Sequence, residues 1–176
     1  MIKAILPKLI WHAPVKNFQA VQEEISKAVE TADWKYYQEQ EWGKTSKFER
    51  MDPFNYDIIQ EYGMQHLIEE IASAVSVYDP EYVFSEHRPS PKSWLVKYDK
   101  GDYAHIHNHY GCHISGAYYY KLEDNNNFFF SDYPSSETAQ LNISEGDLIL
   151  FPADLQHGVI AADHDSSRIV ISFNLY

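Results

Sequence analysis

The chain has 176 residues, with 26 acidic against 14 basic side chains, a formal net charge of −12 and a single cysteine. This length suits one domain with its own core, and the negative charge disfavours a nucleic-acid partner because a phosphate backbone would be repelled. One cysteine cannot form an intrachain disulfide, and a lone cysteine suits a reducing compartment. Pro7 and Lys8 interrupt the first apolar residues before a signal-peptide core could form, and no apolar run approaches the length of a membrane span. We therefore expect a cytoplasmic protein with no membrane partner.

Two amphipathic helices are predicted in the first half of the chain. The first begins after Asn17, a residue type that commonly caps helices, and its apolar residues recur three and four positions apart from Phe18 to Ala32. The second has the same spacing from Met64 to Val75. Residues 1–90 are therefore expected to form a helical support region.

From Ser93 onward the sequence changes to short runs rich in Val, Ile, Tyr and Phe, separated by clusters of Gly, Asp, Asn, Ser and Pro. The runs are SWLVKY, SGAYYYKL, NFFFSD, AQLNIS, DLILF, HGVIAA and RIVISFNLY. Short strands with regular turn signals are typical of a sandwich, a jelly roll or a barrel. We expect residues 91–176 to form this β core, the helices to pack on one outer face, and residues 1–176 to form one domain.

The last run, RIVISFNLY, alternates strictly between polar and apolar residues. Ile169, Ile171, Phe173 and Leu175 point to one side of the strand, while Arg168, Val170, Ser172, Asn174 and Tyr176 point to the other. If the helices cover the apolar side, the polar side faces the interior of the barrel. An arginine and a serine that face the interior indicate a site for an anion.

The segment HIHNHYGCH places four of the nine histidines within nine positions. Neutral imidazole is the commonest metal-binding side chain, so this concentration indicates a metal site. His107 and His109 are two residues apart, which puts both rings on one side of an extended segment, and His105 and His113 could share that side. The candidate for a further ligand is His157, which follows an apolar strand and a turn that contains a proline.

Four segments resemble the Fe(II)- and 2-oxoglutarate-dependent oxygenases, over roughly Trp94 to the C-terminus. YDKGDYAHIHNH is similar to the approach to the family's first iron ligand, and SGAYYYK to the strand that follows in prolyl-hydroxylase-like members. GDLILFPADLQHGV resembles the segment with the distal histidine, and RIVISFN resembles the Arg-x-x-x-Ser/Thr element. Together they most resemble a group of uncharacterised oxygenases of bacteria and phages. The resemblance implies a double-stranded β-helix, or jelly-roll, core.

The resemblance also implies roles for particular residues. His107 and His157 would be ligands of Fe(II), and Arg168 would bind the distal carboxylate of the cosubstrate 2-oxoglutarate. An arginine suits this task because its guanidinium presents paired donors to a carboxylate. The expected 2-oxoglutarate pocket consists of Arg168, Ser172, Tyr119 and Tyr98.

The chain departs from the family at the third ligand, since the family usually has Asp or Glu where this chain has His109. We favour His109 as the third ligand because it lies two residues after His107, and because the resembling oxygenase group has a histidine there. The alternative is a carboxylate elsewhere, supplied by Asp99, Asp102 or Asp147. A neutral ligand in place of a carboxylate leaves the site more positive by one charge.

The implied activity is that of an oxidoreductase, an Fe(II)/2-oxoglutarate-dependent dioxygenase that uses O2 to hydroxylate a C–H bond. The expected catalytic residues are His107, His109, His157 and Arg168. The substrate would be a small molecule or a residue of a peptide or protein, with peptidyl proline the leading candidate. Two alternatives remain: a three-histidine dioxygenase of the cupin or thiol-dioxygenase type, and a non-catalytic jelly-roll protein that binds a structural metal. Structural sites normally have four ligands, and the sequence offers no convincing fourth.

Overall fold

The computed structural model describes residues 2–5, 8–40, 43–48, 57–82, 92–122, 127–132, 137–161, 165 and 167–176. Three helices lie within these ranges: α1 (Phe18–Thr31), α2 (Ile58–Glu61) and α3 (Gln65–Tyr78). The strands of the same ranges are β1 (Ile2–Ile5), β2 (Lys8–Pro14), β3 (Lys35–Gln40), β4 (Gly43–Phe48), β5 (Lys92–Tyr98), β6 (Tyr103–His107), β7 (Ile114–Leu122), β8 (Phe128–Asp132), β9 (Glu137–Ala139), β10 (Asp147–Pro152), β11 (Gln156–Val159) and β12 (Arg168–Leu175). None of the described helices is long and apolar enough to cross a membrane.

The strands form one hydrogen-bonded order, β1-β2-β10-β7-β12-β5-β4-β6-β11-β8-β9, with β3 attached to β4. Neighbouring strands in this order are antiparallel. β3 pairs along one edge of β4, while the other edge pairs first with β6 and then with β5, so β4 joins the layer around β12 to the layer around β11. The fold is mainly β with few helices, as predicted.

The alternation of β12 separates two hydrophobic cores. Ile169, Ile171 and Phe173 belong to the core between the sheet and the helices, where they pack with residues of α1 and α3. Val170, on the opposite side of the strand, belongs to a second core inside the barrel that also contains Tyr119. Burying one such side chain fully contributes about 1.5–3 kcal/mol. The helices therefore cover the apolar side of β12, and its polar side faces the barrel interior.

The first 90 residues differ from the predicted helical support region because they contribute strands as well as helices. Both long helices lie where they were predicted, but β2 pairs with β10 and β4 pairs with β5. In β2, Ile10 is buried on the barrel side while Trp11 packs against the core under the helices. A strand covered on both sides has no polar–apolar alternation, so its pattern does not reveal it.

The start of α1 also differs in detail from the prediction. Asn17 occupies the cap position, but its side chain makes no capping hydrogen bond. Instead, the carboxylate of Glu70 on α3 accepts the backbone N–H groups of Lys16 and Asn17, at 3.0 Å each. A residue distant in sequence thus holds the backbone that leads into this helix, including the N–H of the cap residue.

Two short segments of the second half also differ from the prediction. The run AQLNIS does not form a strand beyond Ala139, where β9 ends, although Leu141 and Ile143 are buried in the barrel core. β6, in contrast, carries polar histidines and was not predicted as a strand. Burial of isolated apolar residues does not require a strand, and a strand that lines a site need not be apolar.

Candidate active site

Three histidines meet inside the barrel. His107 on β6 and His157 on β11 are direct cross-strand partners, and their ring centroids are 4.4 Å apart. His109 follows β6, and its ring centroid lies 5.2 Å from each of the other two. One ligand atom from each residue lies within 4.8 Å of the others. Three imidazole nitrogens at this separation can coordinate one divalent cation.

A β-bulge in β6 determines which residues face the interior. His107 pairs with His157 and Ala104 pairs with Val159, so three steps along β6 match two along β11. Ala104 and His107 consequently both line the interior cavity, whereas Ile106 between them is 51% exposed. Bulges commonly redirect a side chain in this way.

Backbone carbonyls fix the orientation of two of the imidazoles. Nδ1 of His107 lies 2.7 Å from the oxygen of His105, and Nδ1 of His157 lies 3.0 Å from the oxygen of Leu155. A carbonyl only accepts hydrogen bonds, so Nδ1 carries the proton in each ring and Nε2 is left with its lone pair. Burial and the neighbouring histidines hold the pKa of His157 well below its usual value, which keeps the ring neutral.

The three carboxylates considered as alternative ligands make other contacts. The carboxylate of Asp147 lies 2.8 Å from Nε2 of His12, and that of Asp99 lies 2.9 Å from Nζ of Lys97. Asp102 accepts the backbone N–H of Asp99 at 2.9 Å. Within the described part of the chain, the candidate metal-binding group contains the three histidines and no carboxylate.

The imidazoles line a cavity of about 340 Å³ between the two layers. Arg168, Val170 and Ser172 of β12 line it as well, as expected from the alternation of that strand. Apolar and aromatic side chains form most of the remaining wall; they include Trp94, Val96, Phe128, Phe151 and Val159. The cavity therefore combines a small number of polar groups with an apolar lining, as is typical of small-molecule sites.

Arg168 is a charged side chain within this mainly apolar interior, and it is only 2% exposed. Its Nε and Nη1 atoms are buried and have no hydrogen-bond partner among the residues that the structure describes. Its guanidinium lies over the ring of Tyr98, 4.3 Å from the centroid. Burial raises the pKa of Tyr98 and of Tyr119, so both hydroxyls are neutral. A buried cation with unpaired donors is costly unless an anion completes it, so this end of the cavity fits a carboxylate.

The separation between the two ends of the cavity follows from strand register. Ser172 pairs with Trp94, whose ring is 5.9 Å from that of His109, while Arg168 pairs with Tyr98 four residues along the same strands. Four residues of a strand span about 13 Å. The histidines and Arg168 thus face one enclosed space from different depths.

The sequence-predicted site residues all line this one cavity: His107, His109, His157, Arg168, Ser172, Tyr119 and Tyr98. Trp94 was not singled out, although it contacts His109 and lines the cavity. The signal was present, because Trp94, Val96 and Tyr98 alternate along β5 and share one side of that strand. Phe128 and Phe151, whose rings pack beside His157, carried no comparable signal.

The geometry agrees with comparisons to known proteins. Residues 130–174 match the family model described as "Putative 2OG-Fe(II) oxygenase". No curated protein matches the chain. Among solved structures, a Pseudomonas putida prolyl-4-hydroxylase has a TM-score of 0.65 at 11% identity, with 94% of this chain and 90% of that chain covered.

Two further structures show the same fold. A prolyl hydroxylase of Trichoplax adhaerens, in complex with a hypoxia inducible factor peptide fragment, has a TM-score of 0.66 at 12% identity, covering 95% of this chain and 83% of that one. HygX of Streptomyces hygroscopicus, with nickel, 2-oxoglutarate and hygromycin B bound, has a TM-score of 0.62 at 10% identity, covering 94% and 81%. These likenesses confirm the predicted double-stranded β-helix. The chain has the fold of the Fe(II)- and 2-oxoglutarate-dependent oxygenases, and its residues 130–174 match that enzyme family, which confirms the resemblance read from its sequence.

Proposed function

We propose that the protein is an Fe(II)- and 2-oxoglutarate-dependent dioxygenase that hydroxylates a C–H bond, with a peptide-bound proline the first substrate to test. The observation that carries this proposal is Arg168, a buried cation with two unpaired nitrogens in the same cavity as three imidazoles. A cavity that offers metal ligands at one depth and a guanidinium at another suits a metal-chelating oxo acid with a distal carboxylate.

In this proposal His107, His109 and His157 hold Fe(II). Three protein ligands leave positions free for a chelating cosubstrate. When bound, Fe(II) and 2-oxoglutarate supply the oxidation: O2 is consumed, 2-oxoglutarate loses CO2 and becomes succinate, and one oxygen atom enters the C–H bond of the substrate. The carbonyl bonds to Nδ1 of His107 and His157 keep Nε2 available for the metal.

Arg168 and Ser172 would bind and orient the distal carboxylate. The guanidinium provides charged donors, and Ser172, on the same side of β12, provides a hydroxyl donor. The guanidinium packs over the ring of Tyr98 in a cation–π contact. The apolar wall would exclude water around these groups and so strengthen the charge–charge contact.

The test has two measurements on the purified protein. Calorimetry should detect binding of 2-oxoglutarate in the presence of Mn(II), and aerobic incubation with Fe(II) and 2-oxoglutarate should release succinate, with a further increase when a proline-containing peptide is added. The peptide bound by the Trichoplax structure motivates this choice of substrate. Absence of 2-oxoglutarate binding to the Mn(II) protein would refute the proposal, whereas binding without peptide turnover would refute only the proline substrate.

The third imidazole favours a second candidate, a three-histidine dioxygenase of the thiol type in which the substrate itself chelates the metal. Such an enzyme needs no five-carbon diacid, so its reaction supplies no carboxylate to bind the unpaired nitrogens of Arg168. O2 consumption that depends on a thiol and is independent of 2-oxoglutarate would favour this candidate over the first.

A further inference from the structure

We propose that Asp79, Tyr82 and His113 are positioning residues, which hold the loop of residues 108–113 against the end of α3 and thereby set the metal affinity of the site. We call this segment the His109 loop. The inference rests on the proposed role of His109 as a metal ligand. It assigns a function to side chains that contact neither the metal site nor the cavity.

The His109 loop needs support that the strands do not give. His107 and His157 lie in paired strands and each has its Nδ1 bound to a carbonyl, whereas His109 lies beyond the end of β6. The loop turns through Gly111, whose φ of 94° is in the left-handed region. Its position therefore depends on the contacts that fix its two ends.

Two contacts fix the far end of the loop to the turn after α3. Nε2 of His113 lies 2.7 Å from a carboxylate oxygen of Asp79, and the ring of His113 stacks on that of Tyr82, with centroids 5.5 Å apart and planes inclined by 15°. The hydrogen bond from His113 lowers the pKa of Asp79, which is therefore a carboxylate at neutral pH. His113 is thus held by a charge-assisted bond at its edge and by an aromatic ring on its face.

Backbone bonds connect His113 to His109 through one residue, Ala153. The oxygen of His113 accepts the N–H of Ala153 at 3.3 Å, and the oxygen of Ala153 accepts the N–H of His109 at 2.8 Å. The N–H of His113 donates to Leu175 at the end of β12, at 2.8 Å. A shift of His113 would therefore move the carbonyl that accepts the N–H of Ala153. Ala153 would move with it, and so would the backbone oxygen that accepts the N–H of His109.

The turn that grips His113 is itself fixed at several points. The N–H of Asp79 donates to Val75 within α3, and the N–H of Tyr82 donates to Asp79. The hydroxyl of Tyr82 donates to the backbone oxygen of Tyr176 at 2.8 Å. The end of α3, the last residue of the chain and the His109 loop are thus linked as one unit beside the metal site.

The expected effect is modest because the contact is partly open to solvent, with side-chain exposures of 53% for His113 and 28% for Asp79. A pair of this kind contributes up to about 1 kcal/mol, which corresponds to about fivefold in affinity. We expect Asp79→Asn and His113→Leu each to weaken Mn(II) binding by roughly two- to fivefold. His113→Gln should retain much of the affinity, because its amide can still donate to Asp79.

The matched control is Glu81→Gln, which removes the same charge from the same turn. The side chain of Glu81 is exposed and takes no part in the contact with His113. Calorimetry with Mn(II) gives the affinities, and the absorption bands of the Co(II)-loaded protein report the ligand geometry. We expect shifted bands for Asp79→Asn and His113→Leu, and wild-type bands and affinity for Glu81→Gln.

Circular dichroism and thermal unfolding separate positioning from folding. Variants that remain folded, bind Mn(II) as tightly as the wild type and give wild-type Co(II) bands would overturn the inference, even if they unfold at lower temperature. His109→Ala distinguishes this failure from failure of the proposed function. If His109→Ala leaves Mn(II) affinity unchanged, His109 is not a ligand and both proposals about it are wrong; if it weakens binding while Asp79→Asn does not, only the positioning role is wrong.

Discussion

The three imidazoles of the site differ in how the chain holds them. His107 and His157 face each other across paired strands, and each donates Nδ1–H to the carbonyl two residues before it. The donor–carbonyl contact selects one tautomer and one ring orientation before any metal arrives, which lowers the cost of binding. His109 lies beyond the end of β6, and its backbone N–H donates to the oxygen of Ala153 at 2.8 Å.

Substituting His107 or His157 with Ala should abolish stoichiometric Mn(II) binding. Loss of an outer partner of a metal ligand already costs about 10–100-fold in affinity, and loss of the ligand itself should cost more. The measurement is calorimetry with Mn(II). The control is His105→Ala, since the side chain of His105 is exposed and its hydrogen bond with His107 uses the backbone oxygen, which the substitution keeps. If His105→Ala loses metal as completely as His107→Ala, the ligand assignment is wrong.

Arg168→Ala should weaken 2-oxoglutarate binding to the Mn(II) protein while leaving Mn(II) affinity nearly unchanged. Removing one partner of a buried charge pair costs about 2–5 kcal/mol, or roughly 30-fold to a few thousand-fold in the dissociation constant. Ser172→Ala removes one hydrogen bond to a charged group, worth about 1.5–3 kcal/mol, so its effect should be smaller and in the same direction. Calorimetry of 2-oxoglutarate binding measures both effects.

The control for this prediction is Lys100→Ala, which removes a cation whose side chain is 57% exposed and pairs with Asp165 at 3.0 Å. A general loss of positive charge would weaken binding in both variants. If Lys100→Ala and Arg168→Ala lower the affinity equally, the effect is long-range attraction and not a carboxylate site at Arg168.

At the scale of elements, the strands that could be predicted are those with one apolar and one polar side. The alternation of β12 is sufficient to place Arg168 and Ser172 toward the interior, because a strand has only two sides and the helices cover one of them. The same reasoning extended to β5 would have found Trp94. The spacing of these residues in sequence was enough to predict which side they face, because side chains alternate strictly between the two sides of a strand.

The elements that could not be predicted depend on contacts distant in sequence. The bulge in β6 exists only opposite β11, yet it decides that His107 and Ala104 both face the cavity. β2 is covered on both sides and so has no alternation, and the backbone that leads into α1 is held by Glu70 of another helix. The two-residue spacing of His107 and His109 correctly suggested proximity, but the loop that brings His109 back to the site is a tertiary feature.

Gly116→Ala should destabilise the protein, because β7 passes too close to β12 and β10 for a side chain at this position. A Cβ at Gly116 would collide with the ring of Phe173 and lie 2.8 Å from the backbone oxygen of Ile149. Overpacking of this kind costs about 1–3 kcal/mol. The free energy of unfolding in urea measures the effect. Adding Phe173→Leu should recover part of the loss, since it removes the ring; two independent, additive losses would contradict this account.

At the scale of the whole molecule, the sheet has one hydrophobic core under the helices and a second inside the barrel, and this inner core shares residues with the cavity wall. The helices bury the outer side of β12, β7 and β10, so the inner side need not supply all of the stability of the fold. The interior can therefore hold three imidazoles and a guanidinium of which two nitrogens lack a hydrogen-bond partner among the described residues. Protonation of these imidazoles should therefore lower the free energy of unfolding at acidic pH.

The metal-free protein should lose stability as the pH falls below about 6.5, with His157 as one identifiable cause. Burial and the nearby His107 and His109 hold the pKa of His157 well below its usual value in the folded protein. At pH values between the ordinary pKa of histidine and the lowered pKa of His157, the unfolded chain binds a proton at this residue and the folded protein does not. Lowering the pH through this window therefore favours the unfolded state. The loss should be about 1.4 kcal/mol for each pH unit across this window, and nothing should be lost above it.

Urea unfolding of the wild type and of His157→Asn, both in a metal chelator, measures this contribution. The variant cannot take up the proton at this position, so its stability should decline less steeply below pH ~6.5 than that of the wild type. Titrating groups outside the three histidines are common to both proteins, so the difference between the two stabilities reports His157 together with its interaction with His107 and His109. Above this pH range the difference should be constant, which provides the internal control. If the difference is also constant below this range, His157 takes up a proton in the folded protein as readily as in the unfolded chain. The interior would then not be the desolvated site that the burial of His157 indicates.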